Sequence, residues 1–223
     1  MIKKTIEKKL IEKDVKKLVS IVNKGDYLKA IEMAEAFLKN NPNEYFVWNI
    51  LGISFATIGK TKEAIEVFKK VISLNHNFIE GYLNLGRALN TIGDFEQAIE
   101  IYNRILSINP TCINALFSIG DINYSKGNFE LAIEYYYKVL SIKPDNVEAI
   151  NNIGTSFKNL KKLTESINFY NKAIALDPSY AEAYNNLGTV LYEKKDHIKA
   201  LKAYNKAIKI YPEYAEAYYN KAN

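Results

Sequence analysis

The chain has 223 residues, 48% of them hydrophobic, enough to bury a substantial core and too many for a disordered segment. Its single cysteine, Cys112, excludes an intramolecular disulfide and fits a reducing compartment. The net charge of +5 sits mostly in residues 1–18, where seven lysines face three acidic residues, so a basic stripe for nucleic acid is excluded everywhere but there.

That N-terminal segment, MIKKTIEKKLIEKDVKKL, interleaves Glu7, Glu12 and Asp14 with its lysines, the pattern of a solvated helix face rather than a nucleic-acid surface. It lacks the continuous apolar stretch of a secretory signal, and no run further along approaches the ~20 apolar residues of a membrane-spanning helix. The expectation is a cytoplasmic protein with no nucleic-acid or membrane partner.

From residue 11 onward the chain repeats itself every 34 residues. Pro110, Pro144, Pro178 and Pro212 keep that step, Pro42 lies two steps earlier, and His76 fills the gap between. Gly52, Gly86, Gly120, Gly154 and Gly188 form a second column, and Gly25, Gly59, Gly93 and Gly127 a third. Ala30, Ala64, Ala98, Ala132 and Ala200 form a fourth, with Ser166 in the open place, and Phe68, Tyr102, Tyr136, Tyr170 and Tyr204 a fifth. The frame gives units 11–44, 45–78, 79–112, 113–146, 147–180 and 181–214, the first degenerate with Leu18 in the glycine place, in one array over 1–223. Residues 215–223 begin a seventh unit or form a short cap, with Tyr218 pointing back at unit six.

Each unit reads as two helices. In 181–194, Tyr184, Leu187, Gly188 and Leu191 recur at helical spacing, and Ala200, Tyr204 and Ala207 do the same in 197–210. Lys195-Asp196 makes the turn between them, where earlier units carry a glycine, and proline ends the second helix. Gly188 is expected opposite Ala200, with Tyr184 and Tyr204 filling the sides, so most of the tyrosines are core residues.

A 34-residue helix pair of this pattern, fullest in Trp48, Leu51, Gly52, Phe55, Ala64, Phe68 and Val71, resembles the tetratricopeptide repeat family over essentially the whole chain. The resemblance implies an all-α, right-handed α-solenoid of antiparallel helix pairs, with the first helix of each pair lining a concave groove. One groove column is then Ile50, Asn84, Ser118, Asn152, Asn186 and Asn220. Its asparagines are similar to the ladder of the O-linked N-acetylglucosamine transferase superhelix, which holds extended peptides by their backbones, although Ile50 and Ser118 break it. A carboxamide suits that task because it both accepts and donates. The remaining groove set is Phe46, Asn49, Ile53, Leu83, Arg87, Asn90, Phe117, Asp121 and Tyr124 in units two to four. Asn151, Thr155, Lys158, Asn185, Thr189 and Tyr192 continue it in units five and six. Phe46, Ile53, Leu83 and Phe117 would anchor a partner's side chains, unless the N-terminal helix folds over Phe46 and Ile53.

No catalytic constellation appears. His76 and His197 are isolated, the glycines are single, and no His, Cys and carboxylate spacing suggests a metal, so neither cofactor nor enzymatic activity is expected of this chain. Binding of an acidic chaperone tail is disfavoured, because Arg87 and Lys158 lie two units apart and the column Glu80, Glu148, Glu182 and Glu216 would repel it. The leading expectation is a non-catalytic scaffold holding a peptide or helix of a protein partner. The alternatives are the substrate-recruiting N-terminal arm of a larger glycosyltransferase or sulfotransferase, continuing past Asn223, and a homo-oligomer formed through the C-terminal end.

Overall fold

A computed structural model describes residues 2–222, with side chains from Lys13 onward. The side chains of Lys3, Lys4, Lys8 and Lys9, the first part of the basic segment, lie outside the described residues. Among the described residues there are thirteen helices and no strand. They fall into two compact units, 1–110 and 111–223. The first holds α1 (Ile2–Asn23), α2 (Tyr27–Asn40), α3 (Tyr45–Thr57), α4 (Thr61–Leu74), α5 (Ile79–Thr91) and α6 (Phe95–Ile108). The second holds α7 (Ile113–Ser125), α8 (Phe129–Ile142), α9 (Val147–Asn159), α10 (Leu163–Leu176), α11 (Ala181–Glu193), α12 (His197–Ile210) and α13 (Ala215–Ala222). Within each unit every helix packs on the next in the chain, and the first helices of successive pairs also touch, as in α3 with α5, α9 with α11 and α11 with α13. Each unit is therefore a stretch of all-α solenoid.

The ends of the helices follow from local chemistry. Asp26, Asp94 and Asp196 accept from the backbone N–H three residues on, which caps α2, α6 and α12. The turns before these second helices need a left-handed residue, and Gly25, Gly59, Gly93 and Gly127 supply it at φ between 78° and 82°. In the last two pairs Lys161 and Lys195 take the same place at φ 61° and 64°, where a side chain is strained.

The packing inside a pair differs from the expectation for Gly188. That glycine faces the ring of Tyr204, not Ala200: a β-carbon on Gly188 would lie 2.6 Å from the tyrosine ring. Gly52 with Phe68, Gly86 with Tyr102, Gly120 with Tyr136 and Gly154 with Tyr170 repeat the contact at 2.5–2.8 Å. The ring of the second helix thus packs directly against the glycine backbone of the first, and all five rings are buried. In the degenerate first pair the sizes are exchanged. Leu18 stands in the glycine place and Ala34 in the ring place, and both are buried in one apolar cluster with Ala30, Leu38, Val47 and Leu51. In the second unit Ile150, Ala173 and Ala183 join successive pairs. At the start of the seventh pair Ala217 is the residue that docks, while Tyr218, expected to do so, is 49% exposed.

Two outcomes test this packing by urea unfolding. Gly154→Ala adds a methyl 2.8 Å from the Tyr170 ring, so it should destabilise by about 1–3 kcal/mol despite alanine's better helix propensity, and the same change should cost much less when made in a Tyr170→Leu background. Lys161→Gly should stabilise by about 0.5–1 kcal/mol, the relief of left-handed strain less the extra freedom of the unfolded chain.

Candidate functional site

The first helices of the second unit line a cleft of about 590 Å³. Asp121 and Tyr124 come from α7, Asn152, Thr155 and Lys158 from α9, Glu182 and Asn186 from α11, and Glu216 from α13. Ser125, Tyr136 and Tyr214 complete it. The volume lies within the roughly 300–1,000 Å³ typical of ligand sites.

Three tyrosine rings seated on the glycines reach the wall of this face with their hydroxyls. Tyr136 donates to Asp121 Oδ1 at 2.7 Å and Tyr170 to Thr155 Oγ1 at 3.2 Å, while Tyr204 pairs with Thr189. In the first unit Phe68 has no hydroxyl, and the residue in the matching wall position is the apolar Ile53. A buried hydroxyl without a partner would cost about 1–3 kcal/mol, a cost that Asp121, Thr155 and Thr189 remove for Tyr136, Tyr170 and Tyr204.

The carboxamides are arranged differently from the expected ladder. Asn151 and Asn185 are fully buried, and Asn49 nearly so. They tie repeat to repeat from beneath the face and do not present themselves to a ligand, because their positions on the helix point between pairs. Asn151 Nδ2 donates to Glu182 Oε1 at 2.8 Å and Asn185 Nδ2 to Glu216 Oε1 at 3.1 Å. Asn186 Nδ2 then donates to Asn151 Oδ1 at 3.2 Å, and Asn220 Nδ2 to Asn185 Oδ1 at 3.0 Å. Asn84 Nδ2 makes the same bond to Asn49 Oδ1 at 2.9 Å in the first unit, whereas Asn152 Nδ2 reaches Asp121 at 3.5 Å. Asn84, Asn152, Asn186 and Asn220 are half-buried, with the donor half of each turned to the adjacent repeat.

The other expected residues separate into two groups. Leu83 is buried and unavailable as an anchor, and Phe117 packs its ring 5.4 Å from that of Tyr136. Phe46 is 43% exposed among the described residues. Ile53, Asn84 and Arg87 meet in a smaller pocket of about 210 Å³ in the first unit. Tyr124 lines the larger cleft and accepts from Asn159 Nδ2 at 3.0 Å. Sequence reasoning did not find Tyr136, which belongs to the aromatic core column, or Tyr214, which stands just before α13. It also read Glu182 and Glu216 only as repulsive, although their recurrence every 34 residues was the available signal.

Electrostatics set Asp121 apart. Burial pushes its carboxyl from the ordinary 3.8 up to about 6; the hydrogen bond from Tyr136 opposes this, the charge of Glu148 adds to it, and the Asn152 contact opposes it weakly. Burial and the neighbouring Asp121 in turn raise Tyr136. Tyr214 is pushed up to about 12 by burial, Glu216 and Glu182. Among the described residues no three of His, Cys, Asp or Glu are grouped to hold a metal ion, and no helix is long and apolar enough to cross a membrane.

Four family models match the chain. One, described as a TPR repeat, covers 154–195, and three described as tetratricopeptide repeat cover 22–75, 78–145 and 181–214. No curated protein matches it. Among solved structures, the MamA protein is 31% identical with a TM-score of 0.65 over 74% of this chain and 90% of that one. PilW, described as a widely conserved type IV pilus biogenesis factor, is 16% identical with a TM-score of 0.80 over 93% and 96%. YrrB, described as a TPR protein with an unusual peptide-binding site, is 18% identical with a TM-score of 0.62 over 85% and 98%. The last two likenesses are of fold alone.

The raised carboxyl gives a signed pH dependence. A folded-state value above the unfolded one means that ionised Asp121 opposes folding at pH 7, and that this cost disappears as pH falls through about 6 towards 3.8. Asp121→Asn keeps an acceptor for Tyr136, so it should gain about 1–2 kcal/mol at pH 7, less than the full ~1.4 per unit because solvent screens part of the charge. The gain should vanish near pH 4, as read by urea unfolding at both values.

Proposed function

Because the chain belongs to the tetratricopeptide repeat family, we propose that it is a non-catalytic protein-interaction scaffold that holds an extended peptide segment of a partner in the cleft of its second unit. The observation that carries this reading is the cleft itself, lined from four successive first helices rather than from one pair. An elongated ligand meets the same kinds of group at each repeat. With Nδ2 of Asn152 and Asn186 directed to neighbouring repeats, and Oδ1 of Asn152 taking only a long 3.5 Å contact from Asn151, the acceptor capacity left to a ligand is the Oδ1 row, which suits the N–H groups of an extended backbone. Tyr124 and Tyr214 supply flat apolar surface beside it at low conformational cost. The same cleft would serve a chain acting alone or one recruiting substrate to a transferase.

Selection from a displayed random-peptide library should yield ligands for the purified protein. Changing Asn152 and Asn186 together to Ala should weaken those ligands about tenfold, the loss of one or two hydrogen bonds, while circular dichroism stays helical. Unchanged affinity in the double variant would remove the carboxamide row from the binding site, and no selectable ligand would overturn the reading.

A further inference from the structure

The charge and geometry of the cleft go further than its capacity for a peptide. We propose that the cleft of the second unit selects a basic segment, an extended peptide that brings lysine or arginine side chains to Glu182, Glu216 and Asp121. This rests on the scaffold reading above and names its ligand class.

Three carboxylates line the cleft and one ammonium, that of Lys158, opposes them. They are held in place rather than free to collapse onto Lys158. Glu182 accepts from Asn151 through Oε1 at 2.8 Å and from the Tyr180 hydroxyl through Oε2 at 3.0 Å. Glu216 accepts from Asn185 and Asp121 from Tyr136. The buried asparagines thus act as fixed supports for the acidic wall, which is what a preorganised cation site requires. The rings of Tyr124 and Tyr214 line the same space and favour a cation over their faces.

The carboxylates belong to different repeats, so they do not converge on one point as metal ligands would. Glu182 and Glu216 occupy the same place on α11 and α13, first helices of successive pairs that touch. Packed helices lie about 8–10 Å apart, close to the ~9 Å rise of one three-residue turn of polyproline II, the extended form that returns its side chains to one face at every third residue. The favoured ligand therefore carries its basic residues at every third position. The smaller pocket of the first unit has the opposite character, with Arg87 as its one charged lining residue. The chain as a whole is positive, at +5, so long-range charge repels a basic peptide and a preference for one must arise locally.

Three acetylated, amidated nonapeptides on a Gly-Ser frame, with lysine, norleucine or glutamate at every third position, would be titrated calorimetrically into the full chain at low ionic strength. The lysine peptide should bind at least tenfold tighter than the norleucine one, and the glutamate peptide weakest. In Glu182→Gln/Glu216→Gln, which keeps an acceptor for Asn151 and Asn185, the lysine advantage should fall to less than threefold with helicity unchanged. Equal binding of lysine and norleucine peptides, or a lysine advantage that survives in the double variant, overturns the basic-ligand assignment and leaves the scaffold standing. No binding by any of the three, with none from the displayed library, overturns both.

Discussion

The contact on which the helix pairs depend is a ring lying on a glycine. With β-carbon positions 2.5–2.8 Å from the facing ring, there is no room for any side chain at Gly52, Gly86, Gly120, Gly154 or Gly188. Close approach lets a large aromatic side chain become fully buried between two helices that are each only 13 or 14 residues long. Leu18 with Ala34 shows that the constraint concerns the pair and not the glycine, since the large side chain has moved to the other helix and the space is still filled.

That contact also shapes the surface used for binding. A tyrosine seated on a glycine brings its hydroxyl to the residue that follows that glycine, Asp121, Thr155 or Thr189, of which the first two line the cleft. Asp121 consequently sits against buried surface, which raises its carboxyl and links ionisation at the cleft to the packing below. Asn151 and Asn185 perform a related task between repeats by bonding both the following glutamate and the following asparagine. A change in this layer is expected to reach both stability and recognition, because the same atoms serve the two.

Much of this was legible in the amino-acid sequence. The 34-residue step located every helix pair from α3 onward, because proline, glycine and the ring column each obey a local steric rule that leaves few alternatives. The acidic column and the asparagine column were visible as columns. Their meaning was not, since two adjacent asparagines such as Asn151 and Asn152 differ by about 100° around a helix, enough to send one under the face and the other to its edge.

The sequence by itself determined the repeat length, the pairing of helices, the aromatic core and the membership of a family whose units stack. Only the tertiary structure decided that Gly188 meets Tyr204, that Leu83, Asn49, Asn151 and Asn185 lie beneath the face, and that Tyr136 and Tyr214 reach the cleft. The physical reason is one of range. Helix ends and apolar stripes follow from neighbours three or four residues away, whereas a side chain's partner across a pair or between repeats depends on interhelical distance and rotation.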